Sequence, residues 1–248
     1  MKYLRKSLIV LMLNFFSFSA HADQSEFEVY SAGMPEKSES GFDLAMNAAQ
    51  SPSQSESVQH SLIQAIGEYS YGLDDQFAIG VRLPIYHLEN VWRGYGLLGE
   101  IKYIAPHSDQ GFYWGSEIEA GYISPFQEKR GWILEVMPIL GYRIGRWEFV
   151  TNPGLAITSA GEERGVVTFE PNSKISYQVT REYAVGIEYF IDAGSLSSFA
   201  PRDQRREVAY LTLDTMIAKN KINVGLGHGT TESSPRWIAK LIVDLEFD

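Results

Sequence analysis

The sequence predicts an all-β protein, an antiparallel up-and-down transmembrane barrel of about 12 strands. Three observations lead there. Segments of roughly ten residues alternate apolar and polar side chains; aromatic residues stand at both ends of the apolar face; and tight turns alternate with longer loops. The last segment shows the design. Trp237, Ala239, Leu241, Val243, Leu245 and Phe247 share one parity, and Ile238, Lys240, Ile242, Asp244 and Glu246 share the other. Side chains on a strand alternate faces, so one face is apolar and the other mostly polar. At about 3.3 Å per residue and a tilt near 40°, ten residues span roughly 25 Å, the height of an outer-membrane apolar band. A single half-buried strand of a soluble sandwich would read the same way; a dozen of this length would not, since soluble strands average about 5–6 residues.

The first 22 residues read as a signal peptide. Lys2, Arg5 and Lys6 form a basic start, Leu8 to Phe18 is apolar apart from Asn14 and Ser17, and Ala20-His21-Ala22 fits a small-x-small cleavage site. A mature chain from about Asp23 is expected. The apolar run is shorter than the roughly 20 residues of a spanning helix. The chain has no cysteine, which removes a lipoprotein anchor, disulfides, thiol catalysis and cysteine metal sites. Cleavage takes away three positive charges and no negative one, moving the net charge from −10 to −13. That acidic balance argues against a nucleic-acid partner. No later run of about 18 apolar residues exists, which excludes a helical membrane protein but not a barrel.

Residues 23–40 are polar, with Phe27 and Val29 between acidic neighbours, and read as an N-terminal arm. Three places suit it: the periplasm, the lumen as a plug, or an extra strand. Residues 41–248 read as the barrel. Phe42, Leu44 and Met46 alternate with Asp43, Ala45 and Asn47, before a polar loop over 50–60. Ile63, Ala65, Tyr69 and Tyr71 oppose Gln64, Glu68 and Ser70; a Gly72–Asp75 turn then leads into Phe77, Ile79, Val81, Leu83 and Ile85. Tyr95, Leu97, Ile101 and Tyr103 oppose Glu100 and Lys102. Phe112, Trp114, Ile118, Ala120 and Tyr122 oppose Tyr113, Glu117 and Glu119. Trp132, Leu134, Val136, Leu140 and Tyr142 oppose Glu135 and Arg143. Trp147, Phe149 and Leu155 oppose Glu148 and Asn152. Val167, Phe169, Ile175 and Tyr177 oppose Glu170, Asn172 and Lys174. Tyr183, Val185, Ile187, Tyr189 and Ile191 oppose Gly186, Glu188 and Asp192. Weaker alternation over 206–217, then Ile222, Val224 and Leu226, lead to the final strand.

Connections near 72–75, 143–146, 179–182 and 218–221 are tight, and those near 50–60, 157–164, 193–205 and 230–236 are longer. With tight turns in the periplasm, an even strand count brings both barrel ends to that side. Phe112 with Tyr122, Trp132 with Tyr142, and Trp237 with Phe247 mark the two rims of an aromatic girdle that also takes Trp147. Pro84, Pro138, Pro153 and Pro171 fall inside strands, where proline cannot donate to a ladder, so bulges or kinks are expected there.

Four stretches carry a resemblance: F-Y-W-G-S-E-I-E-A-G-Y (112–122), P-I-L-G-Y-R-I-G-R-W-E-F (138–149), V-G-I-E-Y-F-I-D-A-G (185–194) and V-G-L-G-H-G-T-T-E-S-S-P-R-W-I-A-K (224–240). They resemble a group of proteobacterial outer-membrane barrels of transporter type, near the barrel family named for phenol meta-pathway degradation. The resemblance implies fold, outer-membrane location and small-molecule uptake, and carries no catalytic residue. Such barrels often end on an aromatic read by the barrel assembly machinery; here Asp248 displaces that signal by one residue.

The parity opposite the apolar one holds the candidate lumen residues: Arg82, Glu100, Lys102, Glu117, Glu119, Glu135, Arg143, Glu148, Glu170, Lys174 and Glu188. Asp43, Glu68, Asp192, Asp214, Asp244, Glu246 and Lys240 share it. One reading is a water-filled pore with an acidic wall, favouring cations or neutral solutes. The other is a narrow lumen filled by charge-paired side chains, since twelve strands lie between filled eight-strand barrels and open porins. A lipid hydrolase would need a serine–histidine pair. His60-Ser61 and His107-Ser108 are adjacent and point to opposite strand faces, which leaves His87 and His228 as rim residues. No two histidines have ligand spacing, so neither a metal nor another cofactor is expected. The sequence thus points to a passive channel for small solutes in outer-membrane lipid. A non-conducting structural barrel and a lipid-modifying enzyme are the alternatives.

Overall fold

The computed structural model describes residues 28–50, 63–88, 91–124, 131–159, 164–217 and 220–247. The expected leader and Phe27 lie outside them. The strands are β1 (Ser40–Gln50), β2 (Ile63–Gly72), β3 (Phe77–Leu88), β4 (Val91–Gly94), β5 (Gly96–Ile104), β6 (Gly111–Ile123), β7 (Gly131–Ile144), β8 (Trp147–Thr158), β9 (Val167–Gln178), β10 (Tyr183–Asp192), β11 (Arg206–Ile217), β12 (Asn220–Gly229) and β13 (Trp237–Phe247). Apart from β4 and β5, which both pair with β3, each strand pairs antiparallel with the next, and β1 pairs with β13 from Ser40↔Phe247 to Gln50↔Trp237, which closes the sheet. β4 and β5 both pair with β3 and form two halves of one stave, so the barrel has twelve staves. Closure leaves no unpaired edge, as a strand structure in lipid requires.

The two faces follow the sequence parity. Outward apolar side chains remain exposed around the wall, with Ile187 at 61%, Trp132 at 64% and Leu211 at 69%. An apolar surface this continuous is a lipid-facing one. No helix among the described residues is long and apolar enough to cross a membrane.

The in-strand prolines break the ladder locally. Ile85 pairs with Gly94, but Arg82 pairs with Leu98, so the β4–β5 stave carries one extra residue opposite Pro84. That bulge turns Tyr95 inward, where its N–H donates to the Pro84 carbonyl at 3.0 Å and its ring meets Tyr86 at 5.7 Å. Strict alternation had put Tyr95 on the outer face; the extra residue shifts the parity. Between β7 and β8, pairing stops after Val136↔Leu155 and resumes at Leu140↔Thr151, across Pro138 and Pro153. Pro153 in turn faces Pro171 on β9. Asn152, buried beside this gap, donates from Nδ2 to the Pro138 carbonyl at 3.2 Å.

The described part of the arm, from Glu28 to the start of β1, runs inside the barrel. At the rim where β1 starts and β13 ends, Lys37 forms an isolated parallel bridge with Gly72, and Ser38 N–H donates to the Gly72 carbonyl at 2.8 Å. A Cβ at Gly72 would collide with the carbonyls of Pro35 and Glu36, so this glycine makes room for the chain to turn in. Val29 and Tyr30 are buried in the apolar cluster of Met137, Ile139, Val150 and Tyr210, with Ala32 and Met34 packed against it. Of the three places open to the arm, the lumen is the one that its described part, from Glu28 on, occupies.

Candidate functional site

Register alone lines up the inward charges across the wall. Glu68 on β2 is the Cα partner of Arg82 on β3; Glu100 on β5 partners Glu119 on β6, and Lys102 partners Glu117. Gly80 on β3 partners Glu100, and a Cβ there would fall on the Glu100 carboxylate. Arg82 holds Glu68 at 3.5 Å and also pairs with Glu119, while Lys102 approaches Glu117 at 3.7 Å. All six are buried or half-buried.

Tyr30 of the arm docks against this cluster. Arg82 Nη1 donates to the Tyr30 hydroxyl at 2.8 Å, the hydroxyl donates to Glu119 at 3.4 Å, and Lys102 Nζ lies 5.3 Å from the ring centroid. On the other wall, Asn152 Oδ1 accepts the Tyr30 N–H at 2.8 Å and its Nδ2 donates to the Tyr30 carbonyl at 3.0 Å. A cation over a ring, a charge-assisted hydroxyl contact and two amide bonds fix one residue from opposite sides of the lumen. Burial, and then the charge of Glu68, pushes the Glu28 carboxyl of the arm above its ordinary value.

The remaining candidates form separate groups. Lys174 on β9 reaches Glu188 at 3.1 Å and Asp214 at 2.8 Å, and Lys240 on β13 closes onto Glu188. Lys240 also sits 5.4 Å from the Phe190 ring and 5.2 Å from the Tyr210 ring. Arg143 and Glu148 pair at 2.7 Å near the tight-turn rim, where Tyr113 donates to Glu148 at 2.9 Å. Glu170 accepts from Thr168 at 2.8 Å, and Glu135 is half-buried as the partner of Glu119. Between the arm and the wall, a cavity of about 370 Å³ reaches from Glu28 and Glu100 to Arg181, Lys221 and Glu246.

On the outer face, Phe112 partners Tyr142 and Tyr142 partners Phe149 at the tight-turn rim, where Trp147 meets Tyr177 at 4.8 Å and Phe247 ends β13. Tyr122 and Trp132 cross edge-to-face at 5.7 Å at the loop rim, and Trp237 packs on His228 there at 4.7 Å. His87 meets Trp92 in a tilted ring contact at 4.8 Å, His107 bonds the Ser108 carbonyl at 3.0 Å, and His60 lies outside the described residues. Sequence reasoning singled out neither Tyr30 nor Asn152. An aromatic in an acidic arm and an inward asparagine between two prolines were the only signals, and neither shows that they meet.

No protein-family model matches the sequence, and no curated protein matches it. Solved structures do match by shape. An outer-membrane channel from Pseudomonas putida F1, described as COG4313, superposes with a TM-score of 0.59 at 14% identity, covering 92% of this chain and 100% of its own. The KdgM porin, solved in complex with disordered oligogalacturonate, gives 0.58 at 10% identity, over 84% of this chain and 99% of its own. The NanC porin gives 0.53 at 8% identity, over 84% and 99%. At such identities the likeness is one of fold: this chain is a closed twelve-stave barrel similar in shape to these outer-membrane barrels.

Proposed function

We propose that the protein is a passive outer-membrane channel for small solutes whose lumen is closed by its own N-terminal arm in the conformation described. One observation carries this reading. The arm is held at the waist by side-chain hydrogen bonds around Tyr30, and among the described residues its backbone meets the sheet at the rim, around the isolated bridge Lys37↔Gly72. A segment tied in this way leaves without unzipping a strand. Behind it charged and polar side chains line the wall beside the apolar cluster of Met137, Ile139, Val150 and Tyr210, so water can enter the vacated lumen.

The acidic surplus at the waist favours cations and neutral solutes. The KdgM complex contains oligogalacturonate, a polyacid; a wall with Glu68, Glu100, Glu117 and Glu119 against Arg82 and Lys102 repels such a ligand. Export by the leader over residues 1–22, insertion by the barrel assembly machinery and contact with outer-membrane lipid belong to the same reading. So does the kinship to the barrels named for phenol degradation.

The test is single-channel conductance of the mature chain in a planar bilayer, with Asn152→Ala beside it. Brief or rare openings that lengthen in the variant, with cation preference, support the channel. A folded barrel silent in both forms would instead support a structural barrel, which the extensive ion pairing inside the lumen also suits.

A further inference from the structure

The waist carboxylates outnumber the cations beside them. Glu100, Glu117 and Glu119 come from neighbouring strands, with Glu100 the Cα partner of Glu119 and Glu117 two residues along the same face. One oxygen of each lies within 4.8 Å of the others, and all three side chains are buried. Oxygen ligands about 2.3–2.6 Å from a calcium ion stand up to roughly 5 Å apart, so one ion can span this spacing. A second observation is independent of that spacing. Glu100 Oε2 and Glu117 Oε1 are buried and accept no hydrogen bond from any described group. Glu100 is 7% and Glu117 2% exposed, so water does not serve them freely.

The nearby cations are committed. Arg82 is shared by Glu68, Glu119 and the Tyr30 hydroxyl, and Lys102 approaches the other oxygen of Glu117. Four wall carboxylates, Glu68, Glu100, Glu117 and Glu119, face two cations, Arg82 and Lys102. The surplus equals the charge of one divalent ion. Buried carboxylates without a counter-charge are costly, and Gly80 clears space for the Glu100 carboxylate instead of burying it in apolar packing.

We propose that Glu100, Glu117 and Glu119 hold a divalent cation of the calcium or magnesium class inside the barrel, beside the seat of Tyr30. An all-carboxylate set suits hard ions, with water completing the shell, and contains none of the nitrogen or sulfur ligands that favour zinc or copper. Since the hydroxyl of Tyr30 bonds Glu119, the ion fixes one of the groups that hold the arm. The site does not depend on the channel reading, because a non-conducting barrel would hold it equally.

The test is calcium titration of the full mature barrel in detergent after chelator treatment, by calorimetry and by the temperature at which the heat-modifiable band unfolds. One bound equivalent and an unfolding temperature raised by several degrees are expected. Glu100→Gln or Glu117→Gln should lower affinity at least tenfold. Glu100→Asp, which keeps the charge, should fold and bind more weakly, and it serves if a glutamine variant does not fold. Absence of binding to the wild type overturns the proposal. So does binding that all these variants leave intact, which would place the ion at other carboxylates such as Asp43 and Asp244. A Glu100→Gln barrel more stable than a calcium-indifferent wild type also overturns it, in favour of a proton shared by Glu68 and Glu100.

Discussion

Asn152 grips the backbone of Tyr30 on both sides: its Oδ1 accepts the Tyr30 N–H at 2.8 Å and its Nδ2 donates to the Tyr30 carbonyl at 3.0 Å, across 122 residues of sequence. The same Nδ2 serves the Pro138 carbonyl at the break between β7 and β8. One buried amide therefore replaces a ladder bond that proline removes and anchors the arm.

Asn152→Ala strips partners from two buried backbone groups of Tyr30, at about 1–3 kcal/mol each, and from the half-buried Pro138 carbonyl. The barrel should still close, since ten cross-strand pairs of β8 with β9 lie outside position 152. The arm should loosen, and open time in bilayer recordings should rise on the order of tenfold or more. Unchanged recordings would remove Asn152 from the closing contact.

The chain lacks cysteine, so a single Ser31→Cys barrel reports the position of the arm. Its thiol should react slowly with a bulky maleimide in the folded protein. Adding Tyr30→Phe deletes the hydroxyl bonded to Arg82, a charged contact worth about 1.5–3 kcal/mol, and should speed labelling several-fold. Equal rates would mean that the hydroxyl does not seat the arm.

Gly72→Ala places a methyl group against the carbonyls of Pro35 and Glu36 at the entry to the lumen. The expected phenotype is a folded barrel with a displaced arm, seen as fast Ser31→Cys labelling and unchanged strand content by circular dichroism. A variant that labels as slowly as its parent would show that the entry turn can shift.

Lys240→Met leaves Glu188, 1% exposed, with Lys174 at 3.1 Å as its remaining cation. Breaking a buried pair from one side costs about 3–5 kcal/mol, and removing both charges costs much less. Urea unfolding in detergent should show a large loss for Lys240→Met and partial recovery on adding Glu188→Gln. Equal losses in both would assign the effect to packing against Phe190 and Tyr210.

Leu211, on the outer face of β11, tests the lipid contact. Arginine at mid-height should cost about 2–4 kcal/mol in a bilayer, read as a lower folded fraction in vesicles. A soluble barrel would tolerate the change.

The sequence by itself determined the number of staves, their order and the face of nearly every strand residue. That information is local: parity repeats every two residues, tight and long connections alternate, and each strand pairs with the next. It failed at Tyr95, where one extra residue opposite Pro84 reverses the parity. Tertiary structure alone decided where the arm lies, which inward charges meet, and that Glu100, Glu117 and Glu119 converge while Arg143 and Glu148 stand apart. Those relationships depend on closure and on the stagger of neighbouring strands, which bring together groups such as Tyr30, Arg82 and Asn152 from three parts of the chain. No periodicity along the sequence encodes a distance across a lumen.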